Sequence, residues 1–150
     1  MQDVKQMVTD FAAKIGLDGL VFGENDIAGI QFDNLPLNIH ADQEAGELTL
    51  FLRLGDVPAD PEERLAAYGF LLKTNNFARE TGGCVLGVDD SEEGVYMSHR
   101  FAAGTLGVER LERIVEAFLN LAESLAAALS AARPETEKGG GFPANGMRRA

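Results

Sequence analysis

One cysteine, no tryptophan and two histidines among 150 residues leave little room for metal or disulfide chemistry. Cys84 alone excludes a disulfide framework and a multi-cysteine metal site. His40 and His99 lie far apart in sequence and have no ligand-like spacing, which speaks against zinc. Basic residues are also scarce, 13 against 24 acidic ones, for a net charge of −11. They are unevenly placed. Residues 133–150 hold four basic and two acidic side chains, a net of +2, which leaves −13 on residues 1–132. A body of that charge repels phosphate backbones and anionic membranes, so nucleic acid is not an expected partner. Solubility alone accounts for such acidity; so does an acidic carrier that keeps an aggregation-prone client dissolved. No apolar run approaches the roughly 18 residues of a membrane span, and no membrane insertion is expected. The start, MQDVKQMV, lacks the basic-then-apolar layout of a signal peptide, which points to a cytoplasmic home.

What is present is a succession of well-marked periods. The length suits one domain with a proper core, expected over residues 1–132. Val4, Met7, Val8, Phe11, Ala12 and Ile15 recur at helical spacing, with Asp3 and Gln6 as a capping pair and Gly16 as the stop. The period then changes to two. Ile30 and Phe32 share a face, as do Leu35, Leu37 and Ile39 after the Asp33-Asn34 turn. Leu48, Leu50, Leu52 and Leu54 alternate with Thr49, Phe51 and Arg53 after the turn-forming stretch Asp42 to Gly46. This predicts a three-stranded antiparallel meander. Pro36 cannot donate to a ladder, which places its strand near an edge or at a bulge. Leu20, Val21 and Phe22 suit either a further short strand or packing beneath the first helix.

A second helix is expected from Asp60 to Glu80, with Asp60 as N-cap, Pro61 at the first helical position and Glu63 three residues after the cap. Leu65, Tyr68 and Leu72 fall on one side, Phe70 and Phe77 on the other. Two apolar stripes suggest two buried contacts, one with the chain's own sheet and one with a second copy or another helix. Cys84, Leu86 and Val88, then an acidic turn, then Val95, Met97, His99 and Phe101 predict a hairpin. A third helix spans about Thr105 to Ala132, its stripe running from Val108 through Leu111, Val115, Phe118, Ala122 and Leu125 to Leu129. Residues 133–150, rich in Gly and Pro, read as a disordered tail.

No catalytic constellation emerges. Neither histidine stands near a serine or cysteine in a nucleophile arrangement, and Ser91 and Ser98 lack the strand-turn-helix setting. Gly82, Gly83 and Gly87 lack the Lys-Ser/Thr of a phosphate loop. The acidic run from Asp89 to Glu93 lacks calcium-loop spacing. An acidic, non-enzymatic α+β binder without cofactor or metal is the reading that residues alone support.

The order helix, three strands, helix, two-strand hairpin, helix, together with the stretch NNFARETGGCVLGVDDSEEGVYMSHRF from Asn76 to Phe101, resembles the class I chaperones of bacterial type III secretion, the Tir-chaperone (CesT-like) family. The resemblance covers roughly residues 1–130. It implies an α+β homodimer with a twisted antiparallel sheet flanked by helices. It also implies a bacterial cytoplasmic protein that binds the N-terminal segment of a secreted effector in extended form and keeps it export-competent. On that reading the candidate client contacts are Val4, Val8 and Phe11 of the first helix and Phe32, Leu35, Leu37 and Phe51 of the early strands. Phe70, Phe77 and Tyr96 are the candidates for the dimer interface. A non-enzymatic adaptor that binds another folded protein is the alternative.

Overall fold

The computed structural model describes residues 3–132 and residue 134. The tail expected from 133 onward therefore lies, Pro134 apart, outside the described residues. Helix α1 (Val4–Lys14) begins where Asp3 Oδ1 accepts the Gln6 backbone N–H at 3.0 Å. It ends at Gly16, whose φ of +90° lets the Leu17 N–H turn back to the Ala12 carbonyl at 2.8 Å. Leu17 to Ala28 forms no strand of its own before β1 begins at Ile27. Instead Leu20 and Phe22 pack against the core, and Lys5 sits 5.7 Å over the Phe22 ring while pairing with Asp26 at 2.6 Å.

Strands β1 (Ile27–Phe32), β2 (Leu35–Asp42) and β3 (Glu47–Asp56) form the expected meander. The chain then crosses through helix α2 (Pro61–Asn75) and returns as the hairpin β4 (Val85–Val88) and β5 (Gly94–Ala102). The five strands make one antiparallel sheet in the order β1-β2-β3-β5-β4, so the hairpin joins the meander by setting β5 against β3. Pro36 pairs with Gln31 of β1 but lies beyond the β2–β3 ladder, which starts at Asn38. Its missing N–H leaves no bond unmade.

Alternation gives the sheet one buried face. Ile30, Leu37, Ile39, Leu48, Leu50, Leu52, Leu86, Val95 and Met97 point inward and are buried with Val4, Met7, Val8 and Phe11 of α1. Helix α3 (Val108–Ala131) adds Leu111, Val115, Phe118, Ala122, Leu125 and Leu129. Fully burying each leucine or valine contributes about 1.5–3 kcal/mol, so this single layer of side chains holds helices and sheet together. By length and composition α3 would match a membrane span, although charged residues interrupt its apolar sequence. Its apolar stripe lies on the sheet and α1.

Helix α2 departs from expectation in two ways. Asp60 caps it as expected, accepting the N–H groups of Glu62 and Glu63 at 3.1 and 3.0 Å. The buried positions, however, are Ala67 and Leu71, whereas Leu65 and Leu72 are 73% and 74% exposed. The helix also stops at Asn75, before Phe77. A short 3-10 turn follows (Asn76–Ala78), in which Phe77 and Ala78 take left-handed φ values of +60° and +53°. L-residues adopt that region at a cost of about 1–2 kcal/mol each. Phe77 is thereby turned out to solvent, 86% exposed.

Candidate functional site

Because α1 and α3 both contribute to the inner core, the opposite face of the sheet keeps only half-buried and exposed residues. Cross-strand register places its side chains in rows. Asn38, Phe51 and Ser98 form one row, continued by the exposed Val85 on β4; His40, Thr49 and Arg100 form the next. Tyr96 lies opposite Arg53. A Cβ on Gly94 would stand 2.9 Å from both the Arg53 guanidinium and the Tyr96 ring, so only glycine lets these two side chains close over the strand end. Arg53 reaches the Asp56 carboxylate at 2.8 Å and the Glu93 carbonyl at 3.1 Å.

Two places on this molecule could receive a partner. The first is the free edge of β1. Asp26 accepts the Ala41 N–H across the ladder while the Ile27 carbonyl accepts from Gly23, so Ile27, Gly29 and Gln31 turn their backbone groups outward. Among the described residues no strand pairs with that side. Beside it, Phe32 and Leu35 face each other at the turn end of the β1–β2 hairpin, half-buried against the core.

The second is the surface that α2 shares with β4. Tyr68, Leu71, Leu72, Leu86 and Val88 line an apolar groove of about 430 Å³. The Tyr68 hydroxyl donates to Glu92 at 2.7 Å across one wall, and that accepting carboxylate raises the phenol's pKa. Leu65 on α2, Val85 on β4 and Phe77 beyond the helix end add exposed apolar surface.

The sequence-predicted residues divide accordingly. Val4, Val8, Phe11 and Leu37 are buried inside the core, with no surface offered in this conformation. Phe32 and Leu35 border the β1 edge, and Phe51 lies on the outer sheet face. Phe77 is exposed, Phe70 half-buried and Tyr96 half-buried on the outer face. Leu65, Leu72 and Val85 were missed as surface candidates. Asn75 was missed as well. Its side-chain amide donates to the Leu86 carbonyl at 2.8 Å and accepts the Leu86 N–H at 2.9 Å.

Nothing here assembles into a reacting centre among the described residues. Burial pushes the Cys84 thiol up to about 11, so at neutral pH it is not a nucleophilic thiolate. His99 faces inward, in a small cavity of about 270 Å³ with Cys84, Thr81 and Phe118. Thr81 Oγ1 and His99 Nδ1 are buried there without hydrogen-bond partners. No group of three or more metal-ligating side chains occurs among the described residues.

The sequence model of the Tir chaperone protein (CesT) family matches residues 6–126. A Chlamydia pneumoniae protein is 30% identical over 122 residues, covering 81% of this chain and 92% of its own length. Among solved structures, the ExsC–ExsE complex contains a chain with a TM-score of 0.66 at 22% identity, covering 84% of this chain and 92% of that one. The HopA1–SchA chaperone–effector complex contains another at 0.64 and 18%, covering 82% and 92%. At these identities the structural likeness is one of fold.

Proposed function

The chain belongs to the Tir chaperone protein (CesT) family, and on that premise we propose that it is a cytoplasmic bacterial chaperone, a homodimer, that holds the N-terminal segment of a type III secreted effector extended and ready for export. The observation that carries this reading is the open β1 edge with Phe32 and Leu35 beside it. An extended client gains main-chain hydrogen bonds by adding a strand there, and alternate side chains find apolar neighbours on the inner side. Phe51 lies on the outer face two strands in from that edge, on β3, where it would meet a client that crosses the sheet face. Val4, Val8, Phe11 and Leu37 support that edge from within the core. The second copy packs on the exposed apolar surface of α2 and β4, with Leu65, Leu72 and Phe77 at its centre. Catalysis plays no part in this function.

The test is native isolation of the chain from its source, with mass spectrometry and limited proteolysis of what accompanies it. Two copies bound to a protease-protected N-terminal fragment of one larger protein is the expected outcome. Binding that survives deletion of the partner's N-terminal segment, through a folded domain instead, would replace the chaperone reading with an adaptor.

A further inference from the structure

Among the described residues the sheet has two edges, β1 and β4; on β1 the Ile27 carbonyl is taken by Gly23, and Gly29 and Gln31 stay open. On β4 the Leu86 N–H and carbonyl both go to the Asn75 side chain, so Leu86 meets Met97 of β5 as a non-hydrogen-bonded pair with its backbone groups turned outward. The primary amide of Asn75 offers one donor and one acceptor side by side, the same pair that a neighbouring strand would present. Two residues earlier along the same edge, the Cys84 N–H is taken by the Thr81 carbonyl at 3.0 Å. Of the outward positions 84, 86 and 88, two are already engaged.

We propose that Asn75 seals the β4 edge against strand addition. Without the seal, β4 would present a short apolar edge with Val85 59% exposed beside it, and the strand most available to pair with it is β4 of a second copy. Such antiparallel edge pairing is two-fold symmetric and self-complementary, so it would form without any further partner. With the seal, the α2–β4 surface meets other molecules through side chains only. Strand addition by a client is confined to β1, a consequence that rests on the chaperone reading above. The seal itself does not.

Amide hydrogen exchange of the isolated protein tests the seal directly. At concentrations below those at which the protein self-associates, the Leu86 amide should exchange slowly in the native chain and about tenfold faster in Asn75→Ala, as loss of one hydrogen bond predicts. Asn75→Ala should also self-associate more tightly than the native chain, as paired β4 edges add main-chain hydrogen bonds to the side-chain contact. Adding Val85→Lys, a charge on the exposed edge, should weaken the self-association of Asn75→Ala by more than it weakens that of the native chain. Misfolded aggregate would be told apart by loss of the cooperative native melting transition. Should Asn75→Ala fail to fold, the near-isosteric Asn75→Leu removes both hydrogen bonds to Leu86 while filling the same space, and the same faster exchange and tighter self-association are expected. A Leu86 amide that exchanges equally fast with and without Asn75 would overturn the proposal. So would an exposed Leu86 with no change in assembly. None of these readings uses a client, so a failed client assay leaves them standing.

Discussion

Asp89 closes the β4–β5 turn, accepting the backbone N–H groups of Glu93 and Gly94 at 2.9 and 3.1 Å. Those two donors, Gly94 foremost, hold its carboxyl below the usual carboxylate range. A depressed folded-state value means that the contribution to stability is complete above the unfolded value, roughly pH 4, and is lost as pH falls through the folded one. Asp89→Asn should therefore lower thermal stability at neutral pH and bring variant and native chain together in acid. Melting curves from pH 7 down to about pH 2.5 check this; curves that stay parallel would remove Asp89 from the turn's stability. The turn itself was legible in DDSEEG because acidic and glycine residues in that order have turn chemistry and no other setting. Asn75 was not legible. An asparagine near a helix end is ordinary, and only the return of β4 beside it, eleven residues on, turns it into a strand substitute. The left-handed Phe77 was hidden for a similar reason, since nothing in Asn75-Asn76-Phe77 forces a helix to end there.

At the scale of elements, the strength of the periodic signal decided what could be read. Helix α1, strands β1–β3 and helix α3 carry one wide apolar set each, and each buries that set. Helix α2 carries two weak ones, and the residues it buries are the small Ala67 with Leu71, while Leu65 and Leu72 stay outside. A helical wheel ranks faces by apolar bulk and so cannot see a close approach made through alanine. The same limit affected α1, where burial and client contact use the same residue types. Phe11 is 1% exposed. As a core residue, Phe11→Ala should cost about 3–5 kcal/mol of stability through lost burial and a residual cavity. Chemical denaturation of the client-free chain measures it. A near-native midpoint would show that the ring contributes little to the core and return it to the set of client contacts.

For the whole molecule, the neighbour relation of β3 and β5 was beyond sequence reading, because it depends on where a hairpin lands after a helical crossover. That relation leaves β1 and β4 as the two edges, the one open and the other closed by Asn75, and it gathers α2 and β4 at one end. The apolar surface there faces a conflict of charge. In the homodimer proposed above, two bodies that each carry −13 repel, so its association would rest on apolar burial and should strengthen as salt screens the repulsion. Leu72→Glu tests this. Leu72 is 74% exposed in the single chain, so the substitution should leave the fold and its melting behaviour unchanged below the dimer concentration range. In the dimer it would bury a charge without a partner, a cost of about 3–5 kcal/mol, equivalent to roughly two to three and a half orders of magnitude in Kd. Sedimentation of the native chain, Leu72→Glu and the distant exposed control Val21→Glu should show dimer, monomer and dimer in that order. Equal dimerisation of all three would move the interface off α2, and the outer sheet face around Phe51 and Tyr96 would then be the surface left to bury it.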